Sequence, residues 1–314
     1  MSTVASSRPT DGRMNVYTAA VPLLTLLWGL NWPAVRIALG EIDPWTLRAI
    51  GLSSGGMILA GCALVRGDRL SVRRSHWPRL VIAGLLTVAA FNLLLGYAQL
   101  HAPTSRAVIV TFTMPVWTVL FAWLLLGERL DRSRVVALAV GLAGLIALGW
   151  PLVRDGQFSI GLVYALLAGI CFALGTIVTK RFPVEAPPIT IATWQLLTGA
   201  VCATVGMIAF EHVAVPSSLS VLTILAVLYH VIFSQAIAHI LWFAALARIP
   251  AGTAGLATLM IPAVGVYSST LLLGEQPTAA DYTGLALLVV AAFLALRPSK
   301  TAAPMTVAEE QSRM

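Results

Sequence analysis

One stretch of this chain is written twice, and each copy is too apolar to dissolve in water. Met114-Pro115 opens a run that ends in Leu124-Leu125-Leu126-Gly127-Glu128. At an offset of 147, Ile261-Pro262 opens a run that ends, with no gap, in Leu271-Leu272-Leu273-Gly274-Glu275. Upstream, Pro103 falls on Pro250 and Ala107 on Ala254. A neighbouring offset, 144, lays Arg36 on Lys180 and Pro44 on Pro188. Self-similarity at a fixed spacing marks a structural unit used twice.

The solvent of that unit follows from composition. Of 314 residues, 58% are hydrophobic and 11% charged, and the mean hydropathy is +0.88. A water-soluble domain carries roughly 25% charged residues, so lipid must cover this surface. Crossing the hydrocarbon core takes roughly 20 apolar residues. Such segments lie at 17–38, 44–65, 77–99, 104–126, 134–153, 158–179, 189–210, 219–246, 251–273 and 281–297. Each run is continuous rather than alternating, which excludes a barrel; a helix then satisfies its own backbone in lipid. The expected fold is all-α, with ten transmembrane helices.

Net charge of +7 first suggests a nucleic-acid partner, but its placement argues against one. With ten spans, 16 Lys and Arg fall on the side of the two tails and 4 on the other: Arg36, Arg48, Arg106 and Arg154. Loops rich in Lys and Arg stay in the cytoplasm. A multi-pass protein with both termini cytoplasmic is therefore expected. Cys62, Cys171 and Cys202 all sit inside apolar runs and read as small core residues, not metal ligands.

The repeats divide the chain into 1–154 and 155–298, followed by a polar tail at 299–314 that is expected to be disordered. Five spans per half is an odd number, so the second half enters from the opposite face. The result is two inverted five-helix repeats, an arrangement found in secondary transporters.

Ten spans with short loops, Trp28-Gly29-Leu30-Asn31 in span 1, and the doubled Pro-(x)8-Leu-Leu-Leu-Gly-Glu resemble the drug/metabolite transporter superfamily, and its EamA-type repeat most closely. The resemblance covers 17–297. It implies a bacterial inner-membrane exporter of small metabolites with a central cavity. Spans 1, 3, 4, 6, 8 and 9 would line that cavity. Within the superfamily the chain is similar to the amino-acid exporters, including the aromatic-amino-acid exporter.

Polar side chains at membrane depth are costly and should face the protein interior or water. Asn92 and Gln99 in span 3 are seven residues apart and share a face with Gly96. Span 8 holds Tyr229, His230, Ser234, Gln235, His239 and Trp242. At about 100° per residue, His230 and Ser234 share one face and Gln235 and His239 another, roughly 140° away. His230 titrates near neutrality and is a candidate for proton coupling or carboxylate binding; a neutral core histidine is the competing reading. Trp28, Trp117 and Tyr267 can wall in an apolar substrate or simply fill the core. Asn31 lies one turn from Trp28. The substrate-binding candidates are thus Trp28, Asn31, Asn92, Trp117, His230, Ser234 and Tyr267. Pro115 and Pro262, at matched depths, are hinge candidates because proline frees a carbonyl one turn earlier and bends a helix. Gly127-Glu128 and Gly274-Glu275 read as helix stops whose carboxylates cap the following turn or pair with Arg132 or Arg134. Arg36 and Lys180 mark opposite mouths.

No Walker motif, Gly-rich phosphate loop or HExxH occurs, so no enzyme, no cofactor and no metal is expected. The expected partners are a small-molecule substrate, lipid bilayer and, as candidate energy source, the proton gradient, with the chain acting as a monomer. Export of drugs or other amphipathic metabolites, a passive channel and, last, a lipid enzyme are the alternatives.

Overall fold

The structure, a computed structural model, describes residues 12–128, 130–156, 158–211, 218–238, 241 and 260–296. The polar tails, Arg129, His239, Trp242, Pro250 and Ala254 lie outside the described residues. Among those described there is no strand. The helical segments are α1 (Gly12–Ala38), α2 (Pro44–Val65), α3 (Arg74–His101), α4 (Thr104–Leu126), α5 (Arg132–Arg154), α6 (Ile160–Arg181), α7 (Pro188–Phe210), α8 (Val221–Ile237), α9 (Ile261–Leu273) and α10 (Ala279–Leu296). Six of these, α2 to α7, are long and apolar enough to cross a bilayer.

Local chemistry explains the ends. Asp131, Ser159 and Ser220 accept hydrogen bonds from the first-turn amides of α5, α6 and α8, satisfying donors that the helix cannot. Pro44 and Pro188 open α2 and α7 where an amide hydrogen is not needed. α4 and α9 both stop on a left-handed glycine, Gly127 at φ 68° and Gly274 at φ 67°. A side chain would be strained there.

Two helices depart from plain α geometry. α3 has a π segment at Leu85–Ala90 and α8 one at Tyr229–Ile237. Their starts are 144 residues apart, the offset that pairs Pro44 with Pro188. α4 is broken at Phe112 and Thr113. Pro115 therefore does not bend a continuous rod. It sits in the first turn of Met114–Leu126, and Pro262 sits in the first turn of α9.

The core is shared between the halves. α2 packs on α7, α5 on α10, α1 on α9 and α8, and α6 on α3 and α4. One apolar cluster joins Trp32, Val108, Ile109, Leu148, Ala165, Val266 and Leu288 from six helices. Outward faces carry bare apolar residues such as Met57, Val201, Val205 and Ile208. Exposed apolar surface on this scale requires lipid around it, so this is a multi-pass membrane protein.

The turns fall on two rims. The first holds 39–43, 102–103, 155–156, 158–159, 211, 218–220 and 274–278; the second holds 66–73, 127–128, 130–131 and 182–187. The first rim is tied by carboxylates that accept from backbone amides of facing helices. Glu211 accepts from Trp45 N and Thr46 N, each at 2.8 Å, and Glu41 from Ser220 N at 2.8 Å. The expectation for Glu275 was wrong: it caps not its own following turn but the start of α4, accepting from Thr104 N at 2.6 Å and Ser105 N at 2.8 Å. Asp281, also on this rim, pairs with Arg106 at 3.0 Å.

Candidate functional site

The π segment of α8 meets the middle of α1. Within that stretch of α8, His230, Ser234 and Gln235 are all buried. Ser234 and Gln235 lie on two polar faces, neither of which can look at lipid, and a central helix buries both. Asn31 Oδ1 accepts from His230 Nδ1 at 2.8 Å. Trp28 Nε1 donates to the Ser234 carbonyl at 3.3 Å, and Tyr229 Oη to the Leu27 carbonyl at 3.0 Å. The other ring nitrogen of His230 faces α2 at Gly51. A Cβ there would stand 2.5 Å from Nε2, so glycine makes room for the edge of the imidazole against that helix.

Four of the seven predicted binding residues thus form one seam between α1 and α8, with His230 and Ser234 buried and Trp28 and Asn31 half-buried. The other three do not join it. Asn92 Nδ2 donates to the Val88 carbonyl of its own helix at 2.9 Å. Trp117 Nε1 donates to Thr113 Oγ1 at 3.0 Å, bracing the break in α4. Tyr267 is 66% exposed and lies away from the buried face formed by Val266 and Ser269.

The two mouth cations also part company. Lys180 pairs with Glu128 across the second rim. Arg36 instead lines an open depression of about 450 Å³ on the first rim, together with Glu41, Ser220, Thr223 and Glu275. The Ser220 hydroxyl and amide hold the Glu41 carboxyl below its ordinary value of 4.5.

Sequence reasoning missed Arg48. A single arginine near a span end reads as a rim charge, yet its side chain is 1% exposed. Its Nε donates to the Asn92 carbonyl at 2.9 Å. Gln99, 0% exposed, donates from Nε2 to the Trp32 carbonyl at 2.9 Å. Of the Asn92, Gly96 and Gln99 stripe, the Asn92 carbonyl and Gly96 lie against Arg48, while the Gln99 amide reaches α1. Among the described residues no group of three His, Cys, Asp or Glu is placed to hold a metal ion.

This arrangement has known counterparts. A solved crystal structure, 24% identical in sequence, superposes with a TM-score of 0.64 over 90% of this chain and 96% of its own, so the two share a fold. The chain is 27% identical to an uncharacterized transporter, YvbV, of Bacillus subtilis (strain 168), over 88% of this chain and 90% of that one. It is also 27% identical to an uncharacterized inner membrane transporter, YedA, of Escherichia coli (strain K12), over 86% and 87%. A probable terminal-alkyne amino-acid exporter of Streptantibioticus cattleyicolor is 24% identical over 85% and 89%. The EamA-like transporter family matches twice, at residues 18–150 and 159–297. An all-helical membrane protein whose two halves each carry that match is a membrane transporter and belongs to the EamA-like transporter family.

Proposed function

We propose that this transporter exports small metabolites, amino acids first among them, by alternating access between two inverted five-helix repeats. One observation carries the reading: the most extensive contacts between helices recur when the halves are exchanged. α2 against α7, α5 against α10 and α4 against α9 map onto themselves, and α1 against α8 and α9 maps onto α6 against α3 and α4. The doubled glycine stops recur at an offset of 147 and the doubled π segments at 144. Two near-equivalent halves of opposite orientation give two near-equivalent states, one open to each side.

Several roles follow. Trp28, Asn31, His230 and Ser234 form the substrate-facing seam, with Asn92, Trp117 and Tyr267 contributing in other states of the cycle. Pro115 and Pro262, each just after a helix start, act as hinges. The ten-span count, cytoplasmic termini, inner-membrane location, monomeric unit and proton coupling complete the proposal. Its support is the sorting of Arg66, Arg69, Arg73, Arg74 and Arg181 to the second rim and the printed names of the inner-membrane relative and the amino-acid exporter.

Counterflow in proteoliposomes tests it. A trans gradient of unlabelled amino acid should drive saturable uptake of the labelled one. Linear, unsaturable flux would make the protein a channel. Counterflow of amphipathic drugs without amino acids would move the substrate class.

A further inference from the structure

Among the described residues, the fully buried cation of the first rim has no counter-ion. A guanidinium carries five N–H donors. For Arg48 the structure gives one hydrogen bond, from Nε to the Asn92 carbonyl, and leaves Nη2 buried with no partner. None of the ion pairs among the described residues includes Arg48. The carboxylate tied to the same helix start, Glu211, is spent on Trp45 N, Thr46 N and Thr46 Oγ1. Isolated buried charge is among the costliest arrangements a fold can keep, and an apolar residue of similar size would be cheaper. Inside a membrane protein such a group is retained for what it binds.

The surroundings define that ligand. The guanidinium lies beside Gly96 of α3, where a Cβ would stand in ordinary contact, 3.9 Å from Nε and Nη2. One turn along the same face, Gln99 Oε1 is also buried and without a hydrogen bond. A planar donor fork matches the two oxygens of a carboxylate, and the amide oxygen accepts from an ammonium. We propose that Arg48 receives the carboxylate of a zwitterionic amino acid, with Gln99 Oε1 accepting from its ammonium group. This deepens the amino-acid reading above and rests on it. At 1% exposure the fork meets its ligand only when the surrounding helices part, as alternating access requires.

The test uses the full-length protein in proteoliposomes, loaded in turn with each of the twenty amino acids. Each is competed by the unlabelled acid and by its primary amide, which lacks the carboxylate. For the wild type the amide should compete at least tenfold more weakly. Arg48→Gln should weaken the acid by about ten- to a hundredfold, the worth of a charge-assisted pair, and abolish the difference between acid and amide. Arg48→Lys should restore part of the preference. Thermal unfolding of Arg48→Gln should match or exceed the wild type, because an unpaired buried charge is removed. A merely structural tie from α2 to α3 would instead show a lower melting temperature and an intact acid preference, and would overturn the assignment. Equal competition by acid and amide in the wild type would sink it without any variant, while leaving amino-acid transport standing. Absence of counterflow for all twenty would overturn the functional reading and this site together.

Discussion

Glu128 and Glu275 stand at the same step of the same helix ending, and they are held in opposite ways. Each follows a left-handed glycine after a thirteen-residue helix. Glu275 is spent on two buried backbone amides of the other half, Thr104 N and Ser105 N. Glu128 meets two side chains, Arg134 at 3.1 Å and Lys180. The difference extends to the rims. The first is stitched by carboxylates fixed on backbone amides and by Arg106 with Asp281. The second is dressed with ion pairs of exposed cations, Arg73 with Glu185 and Arg66 with Asp68 among them. Duplication therefore repeats how a helix stops, not what its last charge grips. Backbone amides cannot move away without unwinding a helix, whereas lysine can swing.

Breaking the first rim should cost most at Asp281. Its carboxyl is 2% exposed and Arg106 16%, and it also accepts from Thr278 N at 2.7 Å. Removing one partner of a buried pair strands the other, so Asp281→Ala should lose about 3–5 kcal/mol in chemical unfolding in mild detergent. Glu275→Ala strands two buried amides and should lose about 2–3 kcal/mol. Amide exchange at Thr104 and Ser105 should accelerate in that variant, and Glu275→Gln should recover part of the protection. If exchange there is unchanged, the cap is not what closes this rim.

The second rim should yield least. Lys180 is 61% exposed, so Glu128→Ala should cost about 1 kcal/mol or less, and 1 M salt should erase the difference. Hydrogen bonding from Lys180 holds the Glu128 carboxyl below its ordinary value of 4.5. A depressed carboxyl stabilises the fold fully above that ordinary value, and the contribution fades as pH falls through the lowered one. Wild type and Glu128→Gln should thus converge in stability in acid and diverge again toward neutrality. A gap that persists in acid would mean the glutamate acts by packing, not charge.

Most of the helix layout was legible because a bilayer demands long apolar runs, and such runs announce themselves. The bounds 44–65 and 104–126 recur in α2 and α4. Less local features were not. Asn31 and His230 could each be picked as polar groups at depth, but their hydrogen bond spans 199 positions and no period connects them. The π segment that holds Ser234 and Gln235 leaves no signal in fixed-angle reasoning, although the two polar faces of that span already called for a central helix. Arg48 was passed over because span position alone cannot distinguish a side chain that reaches water from one turned inward. Glu275 was misjudged for the same reason: its partners lie 171 and 170 positions away.

The twin π segments carry a consequence for engineering. Each makes room for one residue beyond what a straight α-helix of the same length would hold. Deleting a single amino acid between 85 and 90, or between 229 and 237, should be absorbed as a conversion to ordinary α-helix, not as a collapse of the rod. The ends would keep their phase while the inward-facing set between them changed. A one-residue excision there is thus a way to redraw the inward-facing surface of one half and leave the other as an internal control.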